Sequence, residues 1–329
     1  MKLKLITLAV GAVMAGAASA QTANVTLYGL VDANIASVRT QGAGSALVVS
    51  SGGRSGSRWG LRGSESLGGG LNAIFTLEGG YNVDTGSMGA GAIFARQAFV
   101  GVAGGFGSLT LGRQYSPSFH VICGSSIEGC ASFSVEVNHY LSIPGALRVD
   151  NSINFKSSNM GGLTVAAMYG AGEAVGGLKK NRLMGVNAEY NNGPIYAGLG
   201  WVDKRDGVGN LQARHWIVGG KYNAGVATVA AAYLNEKASS FKGWHVDVGV
   251  PFGATTLIAQ FGQGKAGAAR QRLINVGADY NLSKRSNLYF RFANADNNAA
   301  SNLNAFGVGA APTAGNDKRI IAAGLRHKF

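Results

Sequence analysis

The chain has 329 residues, and charged residues make up only 14% of them, well below the ~25% that is usual in soluble domains. It carries 52 glycines, 5 prolines and a formal net charge of +13, which favours an anionic partner. After the first twenty residues no stretch is apolar for long enough to cross a membrane as a helix, so a membrane-spanning fold would have to be a closed β-barrel.

The first twenty residues have the three parts of a secretory signal. Lys2 and Lys4 supply the positive start, residues 5–18 form the apolar stretch, and Ala20 ends a small-residue cleavage site. A membrane anchor is the alternative, but the apolar run is shorter than the ~20 residues that a spanning helix needs. We therefore predict a signal peptide over 1–20 and a mature barrel domain over 21–329, and export argues against nucleic acid as a partner.

Apolar and polar residues alternate along many segments of the mature chain, which predicts β-strands with one apolar and one polar face. Every second residue from Ile274 to Leu282 is apolar, and the last segment alternates in the same way up to Phe329. Each segment has about ten residues, the length of a tilted membrane strand. The alternation predicts sixteen strands, over residues 24–38, 56–66, 70–82, 93–103, 107–113, 148–158, 162–170, 182–191, 194–203, 213–223, 225–235, 242–251, 254–263, 270–282, 285–296 and 318–329.

Two kinds of connection separate these segments. Short turns rich in glycine or asparagine alternate with longer polar linkers, a pattern that is typical of membrane barrels. An even number of sixteen antiparallel strands predicts an all-β transmembrane barrel that leaves an aqueous channel. The longer linkers are predicted at residues 39–55, 83–92, 114–147, 171–181, 203–213, 235–242, 263–270 and 296–317.

The longest linker, 114–147, is too apolar to lie free in water, because it contains Phe119, Ile122 and Phe133. We expect it to fold into the barrel and narrow the pore. It also contains Cys123 and Cys130, which an oxidising compartment allows to form a disulfide, with two free thiols as the alternative. The cysteines and the scattered histidines form no metal-ligand cluster, so neither a metal nor another cofactor is predicted.

The alternation also predicts which charges face the lumen. Arg54, Arg58 and Arg62 share one face of the second strand, whereas Trp59 and Leu61 lie on the other. A basic side chain in lipid would cost ~2–4 kcal/mol at the midplane, so the arginines are expected to face the lumen. Each of them could also be an ordinary wall residue paired with a carboxylate. The same reasoning predicts further lumenal charges at Arg148, Lys156, Arg291, Arg326, Asp32, Glu78 and Asp150.

Five runs of the sequence resemble the trimeric general-diffusion porins of the Gram-negative outer membrane, in the anion-preferring branch typical of beta-proteobacteria. The resemblance covers essentially the whole mature chain, and together the runs are specific. They are VTLYGLVD at 25–32, SRWGLRGSESLGGGL at 57–71, RQAFVG at 96–101, LTLGRQ at 109–114 and GLRHKF at 324–329.

The resemblance implies a sixteen-stranded barrel, a homotrimer, and a third extracellular loop folded into each pore. It also implies passive diffusion of small hydrophilic solutes, here anionic and neutral ones. By motif position, Arg58, Arg96 and Arg148 correspond to the arginines that face the inserted loop at the pore constriction. Glu128 and Glu136 are the acids that this loop would set against them. The cysteine pair in the loop departs from the family pattern.

Further partners are predicted for the C-terminal strand, the outer wall and the outer rim of the barrel. The C-terminal strand, ending on Phe329, is expected to be the signal for the barrel-assembly machinery. The outer wall is expected to contact outer-membrane lipid. Basic residues near the outer rim could bind lipopolysaccharide phosphates, funnel anions or simply be solvated; they are Lys179, Lys180, Lys204, Arg182 and Arg205.

Other functions are less well supported by the sequence. A substrate-specific channel would need a ladder of aromatic side chains along the lumen, and none is evident. A barrel enzyme would need catalytic groups, but no pairing of serine with histidine is identifiable and no catalytic residue is predicted. An adhesive surface barrel would act through its loops. A general-diffusion channel, and no enzyme, is the function that the sequence favours.

Overall fold

The sheet of this molecule closes on itself to form a barrel. The computed structural model describes residues 24–329, so the predicted signal peptide lies outside the described residues. Seventeen strand segments pair antiparallel with their neighbours, and the last segment pairs with the first. At this seam Gly29 N donates to Phe329 O at 3.2 Å, and Phe329 N donates to Gly29 O at 3.1 Å.

The strand segments have the following bounds: β1 Asn24–Thr40, β2 Gly44–Ser51, β3 Arg58–Gly68, β4 Leu71–Gly80, β5 Gln97–Gly104, β6 Gly107–Tyr115, β7 Arg148–Ser157, β8 Leu163–Gly170, β9 Leu183–Asn192, β10 Ile195–Arg205, β11 Leu211–Asn223, β12 Thr228–Glu236, β13 Phe241–Phe252, β14 Thr255–Ala266, β15 Ala269–Asn281, β16 Ser286–Asn297 and β17 Lys318–Lys328. A short 3₁₀ turn covers Gly89–Gly91, and two helices follow β6, α1 at Pro117–Gly124 and α2 at Val135–Tyr140. Within residues 24–329 neither helix is long enough to cross a membrane.

The seventeen segments fill sixteen positions in the barrel. β2 pairs with residues 33–40 of β1, and β3 pairs with residues 24–30 of the same strand, so they are two halves of one position. Residues 52–57 leave the sheet between them and project into the lumen. The fold confirms the predicted sixteen-stranded antiparallel barrel.

Several predicted linkers proved too long. The linker 39–55 contains β2, so only residues 41–43 connect β1 to the next strand. Likewise β14 reaches Ala266 and β15 begins at Ala269, where a linker over 263–270 was expected. The polar residues in these stretches continue the alternation into the rim of the barrel, where water and lipid head groups replace hydrocarbon. The long connections that remain are 81–96, 116–147, 171–182 and 298–317.

The outer wall is apolar, as a surface in contact with lipid must be. Leu199 is 54% exposed and Ile274 is 42% exposed, although both lie in the middle of strands. Their neighbours in sequence face inward, and Gly200 and Asn275 are buried. The buried core therefore lies inside the barrel rather than between two sheets.

The 116–147 segment fills much of that interior, as predicted. Ser116 caps α1, since its Oγ accepts a hydrogen bond from Phe119 N at 3.2 Å, and Pro117 occupies the first turn. Val121 and Ile122 of α1 pack with Ile217 on the inner wall. α1 lies against β8–β11 and α2 against β13–β15, so the segment covers one side of the lumen.

Candidate functional site: a basic passage beside the inserted loop

The acids of the inserted loop anchor it to the wall. Glu128 accepts from Arg291 Nη2 at 2.8 Å, and the same nitrogen donates to Asp279 at 2.7 Å. Arg54 Nη1 donates to the backbone oxygen of Glu128 at 2.6 Å, and Arg54 Nε donates to Asp279 at 2.9 Å. The Glu128 carboxyl is fully buried, and Arg291 balances its charge. It therefore attaches the loop to the wall and does not act on the lumen as a free negative charge.

Glu136 is buried in a second anchoring cluster. It accepts from Cys130 N at 3.0 Å and from Gln260 Nε2 at 3.2 Å, and burial raises the pKa of its carboxyl. The expectation that Glu128 and Glu136 face the constriction arginines across the pore is therefore wrong. Their partners lie on β14 and β16, because the loop folds flat against that wall.

His245 and Asp247 on β13 complete this cluster. Potential ligand atoms of Glu136, His245 and Asp247 lie within 4.8 Å of one another. The imidazole is already hydrogen-bonded on both sides, to Tyr140 Oη and to Ser125 O, each at 3.2 Å. These three residues therefore form a polar attachment of the loop to the wall. Sequence spacing could not reveal it, because Glu136 is distant from β13 in the chain.

A disulfide joins Cys123 at the end of α1 to Cys130. The bridge closes a loop with a sequence separation of 7, and Glu128 lies within it. Cys130 has a φ of 66°, a left-handed conformation. The bridge therefore holds the tip of the inserted loop in a tight turn beside its ionic attachment.

The three arginines indicated by the resemblance come together on the inner face of β3–β7, away from the strands on which the helices pack. We call this face the open wall. Arg58 Nε donates to Gly56 O at 2.9 Å. Arg96 Nη1 lies 3.4 Å from the position that a Cβ atom on Gly56 would take, so the two guanidinium groups flank the same backbone. Arg96 also binds Glu78 at 2.7 Å.

Tyr115, which the sequence reasoning missed, links Arg96 to Arg148. Its hydroxyl accepts from Arg96 Nη2 at 2.7 Å and from Arg148 Nη2 at 3.1 Å. The Arg148 guanidinium lies 4.8 Å from the centre of the Tyr115 ring, which stacks on Phe119 at 4.0 Å. Since Tyr115 directly follows the LTLGRQ run, its position at the end of β6 was the available signal.

Arg148 was predicted to face the lumen because apolar and polar residues alternate along β7, but the structure places it in this cluster for another reason. Asn151 has a φ of 52°, and the β6–β7 pairing shifts between Gly112 and Gln114. Beyond this irregularity Val149 is buried in a cluster with Met168, Leu183 and Val202. The strict alternation that placed Arg148 and Asp150 on the lumenal face therefore fails at this point, and Asp150 pairs with Arg113 instead.

The open wall carries more positive than negative charge. Asp32 is buried, where it accepts from Arg54 N, Ser55 N and Tyr289 Oη, and Glu78 is buried against Arg96. Within residues 24–329, four basic side chains of the wall have no carboxylate within 4 Å; they are Arg58, Arg62, Arg148 and Lys156. On the closing strand Arg326 is likewise held by neutral groups, Ser55 Oγ and Asn287 Oδ1.

Three of the basic residues predicted at the outer rim divide between the two faces of the wall, whereas Lys179 and Lys180 lie in the connection 171–182. Lys204 shares the inward face of β10 with the buried Tyr196 and Val202, and its Nζ donates to Asn181 O at 2.7 Å. Arg182 and Arg205 instead gather outside the barrel around Asp203. The rim therefore presents positive charge both to the lumen and to the surroundings of the barrel.

A barrel of sixteen strands with a loop folded into its lumen and a charged passage beside that loop defines a channel-forming outer-membrane protein. The sequence profile of the Gram-negative porin family matches residues 7–300 of this chain. The chain belongs to this family.

Named relatives agree with this assignment. The chain is 34% identical to outer membrane porin protein 32 of Delftia acidovorans, and the alignment covers 100% of both chains. It is similar to the structure of an anion-selective porin from Comamonas acidovorans, with 29% identity, a TM-score of 0.82, and coverage of 94% of this chain and 100% of that one. OmpT of Vibrio cholerae, solved in a trimer form, shares the fold at 17% identity, a TM-score of 0.69, and 94% and 100% coverage.

The protein is thus a porin of the outer membrane, a passive channel for small hydrophilic solutes and not an enzyme. The arginine cluster lies on the inner face of the β3–β7 wall, whereas the helices of the inserted loop pack on β8–β11 and β13–β15. Alternation assigned Arg58, Arg62 and Arg148 to the lumen, whereas the assignment of Arg96 depended on the motif.

Proposed function

We propose that the channel prefers anions and that Arg58, Arg96 and Arg148 form its constriction. The observation that carries the proposal is the unbalanced charge of the open wall, where the loop acids are turned away and bound to other partners. A relative named as an anion-selective porin supports it.

The arrangement suits permeation of anions for a physical reason. A guanidinium group stays protonated at any physiological pH and presents several N–H donors, so it can replace part of the hydration shell of a passing anion. The contact has to remain weak, because a tightly bound ion would block the passage. Tyr115 accepts from both Arg96 and Arg148, and Gly56 O accepts from Arg58, so these neutral partners fix the three guanidinium groups in place without neutralising them.

Neutralising Arg58 and Arg148 tests the proposal. The purified protein is inserted in a planar bilayer under a KCl gradient, and the reversal potential gives the ratio of chloride to potassium permeability. We expect a clear anion preference that falls roughly twofold in Arg58→Gln with Arg148→Gln, since two of the four uncompensated wall charges are lost. Arg39→Gln, on the outward face of β1, removes a charge without touching the lumen and is the matched control.

Two results would contradict the proposal. A cation preference in the natural protein would show that the wall charge does not set selectivity. An unchanged permeability ratio in the double variant, alongside an unchanged Arg39→Gln control, would show that other residues do.

We further propose a homotrimer, contacts with outer-membrane lipid and lipopolysaccharide, and recognition of the C-terminal strand by the barrel-assembly machinery. An outer membrane protein of the same fold, OmpT of Vibrio cholerae, has been solved in a trimer form. Phe329 ends the closing strand and is 47% exposed, which leaves part of its ring available to a partner.

A substrate-specific channel is the remaining alternative. The stacked pair of Tyr115 and Phe119 beside Arg148 is the feature that favours it, because an aromatic face next to a guanidinium could bind a solute ring. A conductance that saturates with one organic anion, and not with chloride, would identify such a channel.

A further inference from the structure

Two carboxylates meet inside the barrel without a lysine or arginine between them. Glu136 of α2 and Asp247 of β13 are both 0% exposed. Within residues 24–329, no lysine or arginine nitrogen lies within 4 Å of either carboxylate. The neighbouring Lys221 donates to Ser126 O at 3.3 Å instead. Because a buried charge is costly unless an opposite charge accompanies it, the pair requires a bound cation or a shared proton.

Asp247 directs a free oxygen into this cluster. Its Oδ2 accepts from Ser126 Oγ at 2.9 Å and from Ile127 N at 3.0 Å, which fixes the orientation of the carboxylate. Its Oδ1 is buried 4.0 Å from His245 Nε2 and accepts no hydrogen bond from any residue of the described range 24–329. Buried polar atoms without a partner are rare in folded proteins, so this oxygen indicates a ligand.

His245 offers a nitrogen to the same point. Its Nδ1 lies 3.2 Å from Tyr140 Oη, which can accept the ring proton. In that tautomer Nε2 carries a lone pair, and it faces Ser125 O at 3.2 Å and Asp247 Oδ1 at 4.0 Å. Three electron-rich atoms facing one another repel unless a cation lies between them. A partner that holds the second ring nitrogen, as Tyr140 does here, is the usual support of a metal-binding histidine.

The distances fit one small divalent ion. Potential ligand atoms of Glu136, His245 and Asp247 lie within 4.8 Å of one another. Zinc bonds of about 2.0–2.2 Å place two ligands of one tetrahedral ion about 3–4 Å apart, so the side chains need to draw together by about 1 Å at most. An imidazole combined with carboxylates suits zinc and similar transition ions, whereas calcium and magnesium prefer oxygen ligands alone.

We propose that Glu136, His245 and Asp247 bind one divalent transition ion such as zinc, with Ser125 O as the fourth ligand. The site is closed to water and supplies four ligands from the protein, which is the arrangement of a structural ion. The ion would join two parts of the inserted loop, Ser125 inside the disulfide ring and Glu136 beyond it, to β13. The inference concerns the attachment of the loop and does not rest on the proposed anion preference.

Zinc retention tests the inference. The full chain is refolded in detergent with a slight excess of zinc and desalted, and zinc per chain is measured by elemental mass spectrometry. We expect about one zinc per chain in the natural protein. Binding should be at least about tenfold weaker in Asp247→Asn and in His245→Gln. The matched control is His215→Gln, because His215 is also buried under the inserted loop, with Nε2 on Ser118 Oγ at 3.0 Å, and should leave zinc binding unchanged.

Cobalt in place of zinc reports the coordination directly. The natural protein and His215→Gln should show the intense visible absorption of four-coordinate cobalt, and Asp247→Asn should lack it. If Asp247→Asn does not fold, the spectrum of the natural protein still decides. Equal zinc retention by the natural protein and Asp247→Asn, loss of zinc from the His215→Gln control, or six-coordinate cobalt in the natural protein would each overturn the inference.

The alternative is a proton shared by the two carboxylates, with His245 Nε2 donating to Ser125 O. A natural protein that retains no zinc and is equally stable when refolded with a chelator would establish this alternative and overturn the inference. Ion selectivity is measured separately, on the Arg58 and Arg148 variants, so that result would leave the proposed channel function standing.

Discussion

At the scale of single residues, Gly29 shows how closely the seam of the barrel is packed. A Cβ atom added there would lie 2.6 Å from Arg58 O and would collide with the ring of Phe329. Arg58 O cannot move easily because it belongs to the backbone of a strand, and the Phe329 ring belongs to the residue that closes the barrel. The glycine is therefore required by space, and its backbone conformation is an ordinary one.

Replacing Gly29 by alanine should accordingly destabilise the folded barrel. We expect the free energy of unfolding to fall by about 1–3 kcal/mol, the usual cost of forcing extra atoms into a packed site. Unfolding in urea, followed by the mobility difference between folded and unfolded protein on gels, measures the change. Gly105→Ala is the matched control, since a Cβ atom there has no neighbour within 4 Å. Equal midpoints for the two variants would show that the seam adapts.

Lumenal charges illustrate what a sequence can and cannot tell at this scale. Arg58 and Arg62 were assigned to the lumen by alternation, and the pairing of β3 with β4 is regular from Arg58 to Ser66. Alternation also assigned Arg148 to the lumen, but the positive φ of Asn151 breaks the pattern of β7 without any trace in the sequence, so the position of Arg148 beside Tyr115 has another cause. Glu128 was assigned to the wrong environment because its partner, Arg291, is 163 residues away in the chain.

At the scale of elements, the strands were the most predictable part of the fold. The exception is β2, where the alternation of Leu47 and Val49 is brief and six residues then interrupt the pairing with β1. Because residues 52–57 interrupt the strand, the sequence analysis assigned β2 to the linker 39–55. The interior position of 116–147 could be predicted from its composition, but its helices and its attachments depend on contacts with distant strands.

The disulfide should matter for the stiffness of the inserted loop rather than for its location. Glu128 and Glu136 hold the loop to the wall independently of the bridge. Closing a loop of this length stabilises a folded segment by about 2–3 kcal/mol in the chain-entropy description. Removing it should therefore let the tip of the loop fluctuate while the barrel and the ionic attachments remain.

We expect Cys123→Ser with Cys130→Ser to form channels of similar mean conductance but with clearly greater open-channel current noise. Single-channel recording in planar bilayers measures both quantities. The natural protein treated with a reductant is the control and should become as noisy as the double variant. Noise that is the same with and without the bridge would mean that the ionic attachments alone fix the tip.

At the scale of the whole molecule, the positive charge of the chain is organised in two separate places. One set of cations lines the open side of the lumen, and the other lies outside at head-group height. Several acids inside the barrel fasten the inserted loop and the 52–57 segment, among them Glu128, Asp279 and Asp32. Because these acids are bound within the barrel, a surplus of basic residues is left on the lumenal wall and at the outer rim.

A selectivity that arises from this lumenal field should weaken as salt is added. The Debye length falls from about 10 Å at 0.1 M to about 3 Å at 1 M, which is shorter than the distance across a water-filled passage. The ratio of chloride to potassium permeability should therefore decline steadily when the same KCl gradient ratio is imposed at increasing mean concentration.

The flux of a small neutral sugar into vesicles is the control and should not depend on salt. A permeability ratio that stays constant up to 1 M would show that anions are selected by direct contact with Arg58 and Arg148, within the screening distance, and not by the summed field of the wall.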